Sequence, residues 1–356
     1  MAQDRLLMKG TEAIAEAAIR AGCRFFFGYP ITPQNEIPEY MSRRLPQVNG
    51  LYLQAESEVS AVNMLYGAGG AGVRVMTSSS SPGVALMSEG FSYMVGSEIP
   101  CVIVNIMRGG PGLGDIAPSQ GDYAQMTKGF GHGDKQTIVL APSTVQEAVD
   151  LMGLAFDLAE KYRSPCVMIG DGLIGQMMEP VTFPVTETKE FDISWASTGK
   201  PATRKSNIIN SLFLDPDELE AHVHRLYEKF DRMKAAEQRH ETFLLDDDPE
   251  IVICAYGTTA RIAKSAIREL RKRGIKVGLF RPITAWPFPE EALRKHIDKT
   301  RLFYCIEMSM GQMVDDVRMV VQGRRPVKFW GRVGGVVPTV DQIIARITEE
   351  KTALGA

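Results

Sequence analysis

Leu51 to Gly72, LYLQAESEVSAVNMLYGAGGAG, decides how the rest of the chain reads. Leu51 to Glu56 is an apolar, β-rich hexapeptide. From Ser57 the pattern turns helical, with Val59, Val62, Tyr66 and Gly70 on one stripe. The change from a period of 2 to one of 3.6 puts Glu56 and Glu58 between the C-terminal end of a strand and the first turn of a helix. Ligands of open α/β sheets bind at such ends. A carboxylate there also complements the helix dipole, so a functional role for either glutamate must come from its surroundings.

Outward from this unit the same alternation repeats. Gly10 to Ala21 has a helical face of Ala13, Ile14, Ala17 and Ala18, stopped by Gly22. Cys23 to Phe27 is an apolar strand, followed by the loop Gly28-Tyr-Pro-Ile-Thr-Pro33. A helix from about Gln34 to Arg44 would take Thr32 as N-cap and Pro33 at N1. Val73 to Met76 reads as a strand, Thr77-Ser-Ser-Ser-Ser-Pro-Gly83 as its loop, and Val84 to Gly96 as a helix. Cys101 to Met107 is a strongly apolar strand ending in Arg108-Gly-Gly-Pro-Gly-Leu-Gly114. The arginine there is either a structural ion-pair partner or an anion binder.

Ala117 to Gly133 reads as a long surface loop. Ile138 to Leu140 reads as a strand, Ser143 to Tyr162 as a helix capped by Ser143, and Pro165 to Ile169 as a buried strand. Strand, loop and helix in alternation mean a parallel, doubly wound sheet. From Glu179 to Asp248 the pattern breaks: TFPVTETKEF is strand-like, and Pro216 to Thr242 is a highly charged helix with a solvated face. A second α/β unit begins at Glu250. Its strands are Ile251–Tyr256, Lys276–Phe280, Leu302–Glu307 and Val327–Trp330, and Arg281 to Pro289 is a stiff loop.

Composition narrows the function. The 356 residues suffice for two domains, with 44% hydrophobic and 23% charged residues. A net charge of −3 gives no electrostatic case for nucleic acid or an acidic membrane surface. No apolar run reaches the length of a membrane span, and the N-terminus lacks the core of a signal peptide. Cys23, Cys101, Cys166, Cys254 and Cys305 form no Cys-x-x-Cys. They read as reduced, buried thiols of a cytoplasmic protein that carries no iron–sulfur cluster of its own. No nucleophile elbow and no GxxxxGK[ST] loop occurs, which argues against a hydrolase or a nucleotide hydrolase. Thr32, Glu58, Ser78 to Ser81 and Arg108 all fall at strand C-termini. That inventory suits an anionic small molecule beside a heterocycle.

Four segments carry a family resemblance: Gly28-Tyr-Pro-Ile-Thr-Pro33, Glu58 with Gly67 nine positions on, Thr77-Ser-Ser-Ser-Ser-Pro-Gly83, and Arg108-Gly-Gly-Pro-Gly112. Together they resemble the α-type subunit of the 2-oxoacid:ferredoxin oxidoreductases, and within it the 3-methyl-2-oxobutanoate (2-ketoisovalerate) enzymes. The resemblance implies an α/β fold in three parts. Residues 1–185 would form a doubly wound pyrimidine-binding thiamine diphosphate domain, 186–248 a linker with a charged helical arm, and 249–356 a transketolase C-terminal-like domain.

The resemblance also assigns roles. Glu58 would hold N1′ of the aminopyrimidine, and so should be buried; Glu56, two residues out of register, ranks second. This hydrogen bond favours the imino tautomer whose nitrogen deprotonates C2. Thr32 and Arg108 would bind the substrate carboxylate. Pro30, Ile31, Ser79 and Ser80 would line the cofactor pocket. Thiamine diphosphate would be shared with a β-type chain that grips the diphosphate and Mg²⁺. Iron–sulfur clusters would lie on partner chains, including a ferredoxin-like subunit beside a γ-type subunit. The implied reaction converts a 2-oxoacid and coenzyme A to acyl-CoA and CO₂, with electrons to ferredoxin. Asp115 would repel a dianion if it faced the pocket, which favours a branched aliphatic substrate over 2-oxoglutarate. The rival readings are a 2-oxoglutarate:ferredoxin oxidoreductase subunit, then a non-redox thiamine diphosphate decarboxylase subunit or a non-catalytic nucleotide-binding scaffold.

Overall fold

The computed structural model describes residues 5–184, 191–200 and 202–355. Six parallel strands form the first sheet: Phe25–Gly28, Leu51–Gln54, Val75–Ser79, Cys101–Met107, Ile138–Leu140 and Pro165–Asp171. Across the sheet they run Ile138, Pro165, Cys101, Val75, Phe25, Leu51, naming each strand by its first residue. The chain therefore goes from the Phe25 strand out to the Leu51 edge, then crosses back to the Val75 strand. Strand order reverses between Gly28 and Ser79. That reversal opens the crevice in which ligands of such sheets bind.

The central strands Cys101–Met107 and Pro165–Asp171 are buried at every position, which is why they read as unbroken apolar runs. Helix Gly10–Arg20 packs against Glu36–Arg44 and Val145–Tyr162, while Glu58–Gly70 packs on Ser88–Gly96. Strand Leu6–Lys9 pairs antiparallel with Met178–Val181 outside the sheet.

The second sheet orders Val327–Gly331, Leu302–Glu307, Ile251–Cys254, Val277–Pro282 and His240–Phe243, the last antiparallel. Helices Gly257–Lys272 and Val340–Gly355 pack together over it, around Ile251, Ile267, Leu279, Ile306 and Ile343.

Several segments differ from the sequence expectations. The stiff loop after Arg281 contains strand Thr284–Trp286, which pairs antiparallel with Ile138–Leu140 and so joins the first sheet. The charged helix is Pro216–Ala236, and it buries His222, Leu226, Lys229, Phe230 and Met233, so it is not wholly a solvated arm. Past it, His240–Phe243 belongs to the second sheet. The segment from 117 to 133 is no surface loop. It buries Gln120, Tyr123, Met126 and Phe130 completely: Tyr123 and Gln120 meet the second unit, where Tyr123 Oη donates to Asp316 (2.7 Å) and Met308 N donates to Gln120 Oε1 (2.9 Å), while Phe130 packs on Phe91 with ring centroids 4.2 Å apart. Of the strand-like TFPVTETKEF, positions 185–190 lie outside the described residues, as does the expected boundary at 185/186.

All five cysteines are buried, and none is bonded to another. Among the described residues no helix is long and apolar enough to cross a membrane.

Candidate active site

Strand Leu51–Gln54 ends where Ala55 N donates to Gly28 O (2.9 Å). Ser57, extended at φ −160°, then caps the next helix by accepting from Ser60 N (3.3 Å), and Glu58 is its first residue. Capping thus fixes which glutamate turns inward. Glu56 is exposed and accepts from Ser60 Oγ (3.2 Å). Glu58 is 4% exposed. Dipole complementation needs only an exposed carboxylate, so burial of Glu58 calls for another reason.

The Glu58 carboxyl lies over Gly83. A Cβ built there would fall 2.2 Å from Glu58 Oε1 and 2.3 Å from Ser79 Oγ, so both oxygens share the space that glycine leaves open. The serine run is not a loop. The Val75 strand continues through Ser79, Ser80 takes the N-cap position, and a short helix runs Ser81–Leu86. Ser78 Oγ donates to Gln34 Oε1 (2.6 Å), and Gln34 Nε2 donates to Tyr29 O (3.3 Å), which ties the two sides of the crevice together. The hydroxyls of Thr77, Ser79 and Ser80 are buried with no partner. A buried unpaired polar group costs about 1–3 kcal/mol, and three in one strand end need a counterpart.

Arg108 follows strand Cys101–Met107. Its Nη1 donates to Thr32 O (2.9 Å) and its Nη2 to Leu113 O (3.1 Å), while its Nε is buried and unpartnered. Thr32 and Arg108, expected at one site, are in contact. Thr32 is not the N-cap of its helix. The Thr32–Pro33 peptide is cis, the helix begins at Glu36, and Thr32 Oγ1 instead accepts from Asn35 Nδ2 (3.3 Å). Pro30 is exposed and Ile31 half-buried on the same loop. Asp115 is turned back: its Oδ1 accepts from Ala117 N (2.9 Å) and lies over Gly109.

A polar knot holds the arginine backbone. Ser81 Oγ accepts from Arg108 N (3.0 Å) and donates to Asp122 Oδ2 (2.6 Å). Asn105 Nδ2 donates to the same Asp122 oxygen (2.9 Å), and Asn105 Oδ1 accepts from Ser81 N (3.2 Å). Burial raises the Asp122 carboxyl above its usual range, opposed by hydrogen bonds from Ser81 and Asn105.

Gln34, Gly83, Asn105 and Asp122 thus join the site, and the sequence reading had given none of them a role. Asn105 carried a signal, an amide inside the apolar run CVIVNIM. Asp122 carried none.

These groups fit the pyrimidine end of thiamine diphosphate. Glu58 offers a carboxyl, the unpaired Thr77, Ser79 and Ser80 hydroxyls can donate or accept, and Gly83 keeps the carboxyl's position clear. Among the described residues no group of three or more His, Cys, Asp or Glu could hold a metal ion.

Comparison with known proteins agrees. Residues 16–242 match the family described as pyruvate flavodoxin/ferredoxin oxidoreductase, thiamine diphosphate-binding, and residues 249–343 match core domain II of pyruvate:ferredoxin oxidoreductase. The chain is 48% identical to ketoisovalerate oxidoreductase subunit VorB of Methanothermobacter thermautotrophicus, over 96% of its own length and 97% of the relative's. It is 38% identical to 2-oxoglutarate synthase subunit KorA of Methanocaldococcus jannaschii, over 92% and 95%. The solved 2-oxoglutarate:ferredoxin oxidoreductase of Magnetococcus marinus, with 2-oxoglutarate, coenzyme A and succinyl-CoA bound, matches at a TM-score of 0.88 and 26% identity. That match covers 98% of this chain and 65% of the other, so this chain spans about two thirds of its length. A split-gene transketolase shares the fold alone, at a TM-score of 0.59 and 13% identity. The chain therefore belongs to the pyruvate flavodoxin/ferredoxin oxidoreductase family.

Proposed function

We propose that this chain is the α-type subunit of a thiamine diphosphate-dependent 2-oxoacid:ferredoxin oxidoreductase. It acts on a branched-chain 2-oxoacid, with 2-oxoisovalerate the expected substrate, and yields acyl-CoA and CO₂. The observation that carries this reading is the buried Glu58 carboxyl over Gly83, beside unpaired hydroxyls, where strand order reverses.

When bound, thiamine diphosphate supplies the nucleophilic carbon and the electron sink for decarboxylation. Glu58 shares a proton with ring nitrogen N1′, in a setting where burial strengthens that hydrogen bond. Ser79 and Ser80 contribute hydroxyls to the same wall, and Pro30 and Ile31 close it from the opposite loop. Arg108, with the Thr32 loop, takes the substrate carboxylate; a guanidinium fork matches that group. The diphosphate, Mg²⁺ and the iron–sulfur clusters belong to partner chains: a β-type subunit, a γ-type subunit and a ferredoxin-like subunit, with ferredoxin as acceptor. The complex is cytoplasmic. The domain division is 1–185, 186–248 and 249–356, with His240–Phe243 of the middle part lying in the second sheet and Thr284–Trp286 reaching across to the first.

Similarity to the ketoisovalerate subunits supports the branched-chain substrate. Asp115 is held by Ala117 N and over Gly109, and the proposed preference does not rest on its charge. Exposed Leu113 and Ile116, on the loop that holds Arg108, offer aliphatic surface instead. Assay of the assembled complex with 2-oxoisovalerate, 2-oxoglutarate and pyruvate tests this. A kcat/KM at least about tenfold higher for 2-oxoisovalerate is expected, the discrimination that one or two buried methylenes give. Preference for 2-oxoglutarate would make the chain a 2-oxoglutarate synthase subunit. Turnover without any electron acceptor would make it a plain decarboxylase subunit.

A further inference from the structure

Two arginines among the described residues bury an Nε–H that has no partner: Arg108 and Arg163. The first is the proposed carboxylate binder. The second lies elsewhere. Strands Cys101–Met107 and Pro165–Asp171 run parallel in register, Cys101 beside Pro165 and Met107 beside Asp171. Arg108 follows the end of one and Arg163 precedes the start of the other. Seven residues of strand put the two about 20 Å apart, at opposite ends of the central strands.

Arg163 ends helix Val145–Tyr162 in the left-handed conformation, φ 45°. Its guanidinium lies 4.2 Å from the centroid of the Trp195 ring. The indole is itself fixed, Nε1 donating to Asp192 O (2.9 Å). Among the described residues no carboxylate forms an ion pair with Arg163; Glu98 and Asp192 act on it only at longer range, and burial disfavours its charge. The next residue, Ser164, also buries an unpartnered hydroxyl.

Two clefts of about 450 and 660 Å³ meet at Arg163 and Glu98. Ser97, Asn207 and Asn210 line the first, Lys229 and Arg232 the second. Among the described residues that line them Glu98 is the one carboxylate, and it is already bonded to Lys229 Nζ (2.9 Å). With one face on the indole, the guanidinium edge is left to donate. Arg163, Lys229 and Arg232 thus face Glu98 as the lining carboxylate, while Lys161, also on the second cleft, is paired with Glu237 (2.7 Å).

We propose that this groove binds a phosphate-bearing small molecule, held in the plane of the Arg163 guanidinium, at a site separate from the active site. Volume and polarity suit a ligand of nucleotide size, and a planar fork suits a phosphate.

The test is titration of the full chain with pyrophosphate and with ADP at constant ionic strength, read by calorimetry and by the tryptophan fluorescence to which Trp195 contributes. Saturable binding is expected, with Arg163→Gln weakening it at least about tenfold, the loss typical of a charge-assisted pair. Arg232→Gln should weaken it less, and Arg108→Gln should leave it unchanged. Tighter binding of ADP would assign the second cleft to the base; equal binding would assign the groove to phosphate alone. Absence of saturation at millimolar ligand, or binding indifferent to both Arg163→Gln and Arg232→Gln, overturns the proposal. So does binding to the isolated chain that vanishes in the assembled complex, since the groove would then be the seat of an acidic partner segment. Because Arg108 is varied separately, failure here leaves the active-site reading untouched.

Discussion

Gly83→Ala adds one methyl group, and the structure says where it goes. The new Cβ falls 2.2 Å from Glu58 Oε1 and 2.3 Å from Ser79 Oγ, whereas real Cβ atoms keep at least 3.0 Å from such neighbours. The Glu58 carboxyl must retreat by about 0.8 Å, and a misplacement near 1 Å at a catalytic group costs about a hundredfold in rate. The fold should tolerate the change. Gly83 lies within helix Ser81–Leu86 without a positive φ, and alanine there is favoured over glycine by up to about 1 kcal/mol. The three clashing atoms, Glu58 Oε1 and Cδ and Ser79 Oγ, all belong to rotatable side chains. The assay is acyl-CoA formation by the assembled complex, beside thermal unfolding of the variant chain. Expected are a fall in kcat of about a hundredfold and an unfolding temperature equal to or above the parent's. Glu58→Ala sets the floor, with a loss of more than about a hundredfold. A Gly83→Ala enzyme within about threefold of the parent would refute the claim that Glu58 works from its position over Gly83.

Arg108→Ala should raise KM for the 2-oxoacid by about ten- to a hundredfold, with cofactor affinity nearly unchanged; equal loss of both in steady-state and binding assays would make the arginine structural. Ser81→Ala removes the acceptor of Arg108 N–H and a donor to Asp122, and should raise the same KM by about tenfold while sparing cofactor binding. Asp171 concerns stability. Its Oδ1 accepts from Thr258 Oγ1 (2.8 Å), Leu173 N and Ile174 N, but Oδ2 is buried without a partner. Burial raises its carboxyl above the ordinary value, with the Thr258 bond foremost among the opposing effects. A value raised on folding makes ionised Asp171 a cost that is full above the raised value and disappears as pH falls through it. Asp171→Asn should therefore unfold at the parent's temperature or higher at neutral pH and lose that advantage by about pH 4; a large destabilisation independent of pH would contradict this.

What could be read in the sequence depended on how local its cause was. Cys101–Met107 and Ile138–Leu140 have the expected bounds because an apolar run between breakers is a local signal. The change of period at Ser57 placed Glu56 and Glu58 at the strand end for the same reason, but only the family resemblance ranked Glu58 first, and its burial depends on the Ser57 cap. The serine run failed as a loop because hydroxyls in a buried strand look like loop residues until their surroundings are known. Residues 117–133 failed because buried members bond to groups far along the chain, Tyr123 to Asp316 and Gln120 to Met308, which no window of sequence contains. Thr284–Trp286 failed for a topological reason: a three-residue strand pairing with Ile138–Leu140 leaves almost no pattern of its own. At the site, Thr32 and Arg108 were legible as residues, but the Ser81–Asp122–Asn105 knot that sets the arginine's backbone was not.

The most direct measurement is a structure of the assembled complex with thiamine diphosphate bound. The account predicts a Glu58 carboxyl oxygen within hydrogen-bond reach of N1′, about 2.6–3.2 Å, with the diphosphate gripped by a different chain. A Glu58 side chain remote from the ring, or a coenzyme enclosed by this chain alone, would contradict it.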